Sequence, residues 1–155
     1  MARRILKILH ELSAAGMIGA LVCHLVVLSV ASPDSVNEYL ALRQAIESIT
    51  GWILVPSLAV VLASGLLAIA VYPPFQNLGW VWAKALLGFP MFEGTLITID
   101  GTAQNAARLA AEAARGTPVD PNVVTSMLAS EWRTLWIILV LSIAQVVIGV
   151  WRPRQ

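Results

Sequence analysis

Four stretches of this chain, residues 5–31, 49–71, 78–99 and 132–151, are strongly apolar, and each runs for about twenty residues or more. A helix of that length rises roughly 30 Å, the thickness of the hydrocarbon layer of a bilayer. The composition agrees, with 58% hydrophobic and 12% charged residues and a mean hydropathy of +0.78. A soluble domain of 155 residues would need far more charge to cover its surface. The expected fold is therefore all-α: an integral membrane four-helix bundle with a short extra surface helix, forming a single transmembrane domain over residues 1–155.

The basic start "MARRILK" and the small residues "SVAS" before Pro33 invite comparison with a signal peptide. The apolar run between them is longer than a signal core, which spans roughly 7 to 15 residues, so it reads as a retained first helix. The lone Cys23 lies within that run and has no partner for an internal disulfide. The formal net charge of +1 gives no footing for nucleic acid. Its distribution is more informative, because Arg3 and Arg4 precede the first apolar segment, Lys7 lies at its start, and Arg152 and Arg154 follow the last. The excess of basic residues on cytoplasmic flanks predicts that both termini lie on the cytoplasmic side of the membrane.

Between the apolar segments, "SVASPDS" stops the first helix at Pro33, and Ser35 with Glu38 has the spacing of a capping box. Val36, Tyr39, Leu40, Arg43 and Ile46 form an amphipathic stripe for a short helix on the outer surface that feeds into the second crossing. Pro56 predicts a kink in that crossing. "YPPFQNLGW" is a tight inner connection, with Asn77 placed to cap the third helix. "TAQNAARLAAEAARG" predicts an outer helix ended by Gly116 and Pro118, and "TPVDPNVVTSMLASEW" a loop and turn before Thr125 or Ser130 caps the last helix. No repeat, phosphate-binding glycine loop, zinc spacing or nucleophilic triad occurs.

The polar residues inside the apolar runs carry the chemistry. His10 and His24 are the two histidines, fourteen positions apart. That spacing separates them by about 21 Å along a helix and leaves them within about 40° of one face. Each imidazole can ligate a haem iron, or simply hydrogen-bond to a carbonyl or carboxylate. The stretch "VWAKALLGFPMFEGTLI" places Lys84, Pro90 and Glu93 in the third segment. Lys84 can snorkel to the interface, whereas Glu93, some 13 Å farther along, must be paired, protonated or functional. Pro90 frees a backbone carbonyl near it, and Gly88 and Gly94 allow close approach. Gln145 suits an interhelical hydrogen bond or a ligand contact, and Met17 and Met91 are either gap fillers or soft ligands. Six tryptophans cluster near the segment ends as an aromatic belt.

"LKILHELSAAGMIGALVCH" resembles the opening of small bacterial membrane families, the DUF2269-like proteins and, more distantly, the haem-associated HemJ-like and CopD-like proteins. "GWVWAKALLG" is similar to their tryptophan and lysine segment. The resemblance matches His10 to the first-helix histidine and Lys84 to the later lysine, which in the HemJ-like group accompany haem or porphyrin chemistry. The long acidic connection before the last helix departs from that pattern.

The leading functional expectation is a membrane redox or tetrapyrrole-associated protein. In it His10 and His24 ligate the iron of a b-type haem, Lys84 contacts a propionate, and Glu93 is the candidate catalytic group. A noncatalytic accessory subunit of a larger membrane complex and a small-molecule or proton-coupled carrier are the alternatives. The expected partners are the lipid bilayer and either further copies of the chain or another membrane subunit, with no nucleic acid.

Overall fold

The computed structural model describes residues 2–30 and 36–151. Over these the chain is all-α, with α1 (Ala2–Val30), α2 (Val36–Ile49), α3 (Val55–Val71), a single turn α4 (Pro73–Gln76), α5 (Gly79–Gly94), α6 (Gly101–Ala114) and α7 (Pro121–Trp151). Two π-helical turns, Thr50–Leu54 and Thr95–Asp100, join α2 to α3 and α5 to α6 without interrupting the rods. Arg4–Val30, Val36–Val71 and Pro121–Trp151 are three helices long and apolar enough to cross a membrane. The rod through α5, which carries Lys84, Pro90 and Glu93, is not among these three.

The first π turn explains what becomes of the expected kink at Pro56. Proline has no N–H to return to the carbonyl of residue 52, so the helix widens just before it. The Val55 N–H donates to the Thr50 carbonyl, five residues back, and the axis continues. The second crossing is therefore part of one rod of 36 residues. At 1.5 Å per residue that is about 54 Å, well beyond the hydrocarbon thickness.

The surplus length builds a helical platform at one end. α2 and α6 pack together, with Ile46 buried on α2 and Ala103, Ala106, Ala107 and Ala110 buried on α6. Alanine keeps the two backbones close while favouring helix. The amphipathic helix expected after residue 36 and the outer helix expected after residue 100 are thus both present. We call this the hairpin end, and the opposite end, where α3 turns into α5, the far end.

Two details differ from the sequence reading. Residues 121–131 are helical rather than a loop, because Pro121 fits the first helical position and Asp120 caps it: the Asn122 N–H donates to Asp120 Oδ1 at 2.9 Å. Asn77 does not cap α5; Leu78 holds that position in extended conformation, with no side-chain cap. The far-end turn is held instead by Trp82 Nε1, which donates to the Gln76 carbonyl at 2.9 Å, and by Gln76 Nε2, which donates to the Ile69 carbonyl at 3.2 Å. The stop at Pro33, the cap by Asp34 or Ser35 and the basic pair Arg152 and Arg154 lie outside the described residues.

The core runs through the bundle and includes Leu21, Ile46, Leu54, Ile99 and Leu135, all essentially inaccessible. Large exposed side chains such as Ile8, Leu12, Trp52, Leu86, Ile97 and Val140 clothe the outside. On a membrane-embedded chain these face lipid and need no partner. Gly116, at φ +85°, is the one left-handed glycine among the described residues and turns the chain out of α6. Replacing Asp120 with alanine removes the α7 cap and is expected to cost about 1 kcal/mol, read as a lower unfolding midpoint of the detergent-solubilised protein.

Candidate functional site

The structure distributes the polar residues between two separate places. At the hairpin end His24, Arg43 and Glu131, from α1, α2 and α7, meet in the core, none more than 2% exposed. Glu131 Oε1 accepts from His24 Nε2 at 2.8 Å, and Glu131 Oε2 accepts from Arg43 Nη1 at 2.8 Å. Arg43 Nε donates to the Tyr39 hydroxyl at 3.1 Å, and the guanidinium also lies 5.3 Å from the Tyr39 ring centre. Thr50 Oγ1, in the first π turn, makes a long contact of 3.5 Å with His24 Nδ1. One carboxylate thus joins three elements, with each of its oxygens engaged. A carboxylate only accepts, so His24 donates from Nε2 to Glu131 while Arg43 supplies the counter-ion.

The far end holds a cavity of about 430 Å³ between α1, α3, α5 and α7. His10, Ser64, Lys84, Gly88, Met91 and Gln145 are among the residues that line it. Most of the wall is aliphatic, and polar groups are few, as in cofactor and ligand sites generally. His10 Nδ1 lies 3.0 Å from the Val61 carbonyl and 3.1 Å from Ser64 Oγ. A carbonyl only accepts, so Nδ1 carries the proton and Nε2 keeps its lone pair. Ser64 Oγ itself donates to the Val61 carbonyl at 3.1 Å, which fixes the hydroxyl and the ring together. Gly65 makes room for the ring: a β-carbon there would stand 3.5 Å from His10 Cε1.

Lys84 reaches into the same cavity from α5 and is within electrostatic reach of His10. Its ammonium rests against α7 at Gly149, where a β-carbon would come within 2.9 Å of Nζ. Among the described residues no carboxylate pairs with it. Lys7 and Glu11, exposed and 3.6 Å apart, also belong to the lining. On the side of α7, Val146 and Val150 both line the cavity and are 46% and 79% exposed, so this wall is open to the bilayer.

Of the residues singled out in the sequence, His10 and Lys84 come together, and Met17, Met91 and Gln145 line the same space. His24 does not: it lies outside that lining, with Nε2 on Glu131 and Nδ1 toward Thr50, so in this geometry neither nitrogen is open to iron. Glu93 stands on the exposed side of α5, away from the cavity and with no partner among the described residues. No cluster of three or more histidine, cysteine or acidic side chains able to hold a bare metal ion occurs among the described residues.

Arg43 and Glu131 are the pair that the sequence reading passed over, and a signal for them existed. Arg43 falls on the apolar stripe of α2 with Tyr39 and Ile46, and Glu131 lies in phase with Leu135, Ile138 and Ser142, all buried. A charge on an inward stripe calls for an opposite charge on a facing helix. Comparison with models of protein families, with curated proteins and with solved structures finds no match to this chain.

Removing one member of a buried ionic set leaves the others uncompensated. Glu131→Ala is expected to lose about 3 to 5 kcal/mol of stability. The triple replacement His24→Leu, Arg43→Met, Glu131→Leu is expected to melt higher than Glu131→Ala, measured by circular dichroism in one detergent.

Proposed function

We propose that the protein is a multi-pass protein of a bacterial inner membrane that binds a b-type haem in the far-end cavity. In this reading the rod through α5 is a fourth crossing, and the basic flanks hold both termini in the cytoplasm. The observation that carries it is the convergence of His10 and Lys84 on one cavity, with the imidazole proton fixed on Nδ1. These are the two positions matched by the resemblance to HemJ-like proteins.

The residues present fit the group. The Val61 carbonyl and Ser64 orient the His10 ring, the usual way in which the nitrogen not bound to metal is held. A macrocycle would bring four nitrogens of its own, so the single imidazole of His10 would suffice where a bare ion would need a cluster. Lys84, a cation without a carboxylate partner among the described residues, supplies the charge that an acidic side arm requires. The cavity volume of about 430 Å³ lies within the range of roughly 300 to 1,000 Å³ common for such sites. A b-type haem held there would supply one-electron chemistry. The chain's own contribution would be to orient the His10 imidazole, neutralise an acidic arm with Lys84 and surround the ring with aliphatic wall.

Glu93, the expected catalytic group of a haem protein and equally the polar residue that suggested a carrier, stands outside the cavity and has no part in this reading. Expression with added haem is expected to give a Soret band on the purified wild type and on His24→Ala, and none on His10→Ala. A wild type that neither carries nor takes up haem overturns the reading. Two substitutions probe the lysine: Lys84→Ala and Gly149→Leu, the second by pushing the ammonium off α7, are each expected to weaken haem binding about tenfold.

A further inference from the structure

Gln145 is a half-buried polar side chain of the cavity with hydrogen-bonding capacity to spare among the described residues. Its Nε2 donates to Met91 Sδ at 3.1 Å, its single hydrogen bond among the described residues. A carboxamide has two N–H donors and a carbonyl, and a thioether is a weak acceptor. Its neighbours are already committed: Ser142 donates to the Ile138 carbonyl at 2.7 Å, and Ser64 bonds to the Val61 carbonyl and to His10. Met91 is nearly inaccessible, and its contact fixes where the amide points.

Position on α7 relates Gln145 to Lys84. The lysine ammonium rests at Gly149, and Gln145 is four positions earlier on the same face, one turn or about 6 Å away. The cavity therefore offers a cation and a free N–H donor on adjacent turns of one helix. Among the described residues neither has a charged partner, and both recognise negatively charged oxygen.

We infer that Gln145 is a specificity-determining residue that selects a ligand with two acidic arms, the first paired with Lys84 and the second accepting the free N–H of Gln145. The ligand class is a flat, apolar dicarboxylate. This rests on the reading of the cavity as a tetrapyrrole site, but not on iron or on ligation by His10.

The test uses metal-free protoporphyrin IX and its dimethyl ester, titrated into the detergent-solubilised full chain and followed by porphyrin fluorescence and by quenching of tryptophan emission, since Trp80 lines the cavity. Gln145→Leu is expected to weaken binding of the diacid about tenfold and of the diester less than about threefold, because a charged acceptor strengthens a hydrogen bond roughly twofold over a neutral one. Gln145→Glu is expected to bind the diacid more weakly than Gln145→Leu, through like-charge repulsion, and its thermal melt without ligand serves as the control for folding. Equal loss for diacid and diester, no loss in either variant, or a wild type that binds neither probe overturns the inference. A wild type that binds the diacid with this selectivity yet shows no Soret band with haem supports the inference and sinks the haem reading.

Discussion

A single inaccessible carboxylate, Glu131, ties the hairpin end of the bundle together. Between nonpolar helices in a bilayer there is little hydrophobic force to choose one arrangement over another, so packing and polar contacts must do so. Glu131 accepts from α1 and α2 at once, through separate oxygens. Rotating α7 by one residue, or sliding it by one turn, would strand an arginine and a carboxylate in the core. The set therefore specifies register more than it adds stability, since an apolar replacement of similar volume can be as stable.

That closed end allows the other end to be open. α1 and α7 each carry one polar residue in the ionic set and another in the cavity, fourteen positions away: His24 and His10 on α1, Glu131 and Gln145 on α7. The same two helices are held in contact at the hairpin end and leave room between them at the far end. His10 is oriented by α3, through Val61 and Ser64, and Lys84 is accommodated by the glycine on α7. No one helix could form this site, because its polar groups come from three different helices and are supported by the fourth.

Much of the fold is legible in the sequence because the bilayer imposes a length and a hydropathy that short windows reveal. The apolar runs, the amphipathic helix after Val36 and the alanine-rich helix after Gly101 follow from periodicity alone. Two things do not. Local rules read 121–131 as a loop from its prolines and small polar residues, whereas Asp120 and Pro121 start a helix whose far larger apolar part is already committed. The second π turn, Thr95–Asp100, has no proline in or just after it to announce it, and it buries Thr95 Oγ1 without a partner among the described residues. In the site, His10 and Lys84 stand out as polar residues within apolar runs, but the role of His24 depends on Glu131, 107 positions away, which only a tertiary fold can bring near. Arg43 and Glu131 could each have been suspected from the stripe on which it lies; that the two meet at His24 could not.

The exposed valines of α7 that wall the cavity have a consequence for supply. A solute entering past Val146 and Val150 comes from the hydrocarbon phase, so the occupancy of the cavity follows partition into the membrane before it follows intrinsic affinity. An amphiphile scarce in the cytoplasm but enriched in the leaflet can fill such a site even when each contact within it is modest. Its arrival rate is then set by lateral diffusion in two dimensions, and its escape by how readily its acidic groups return to the headgroup layer.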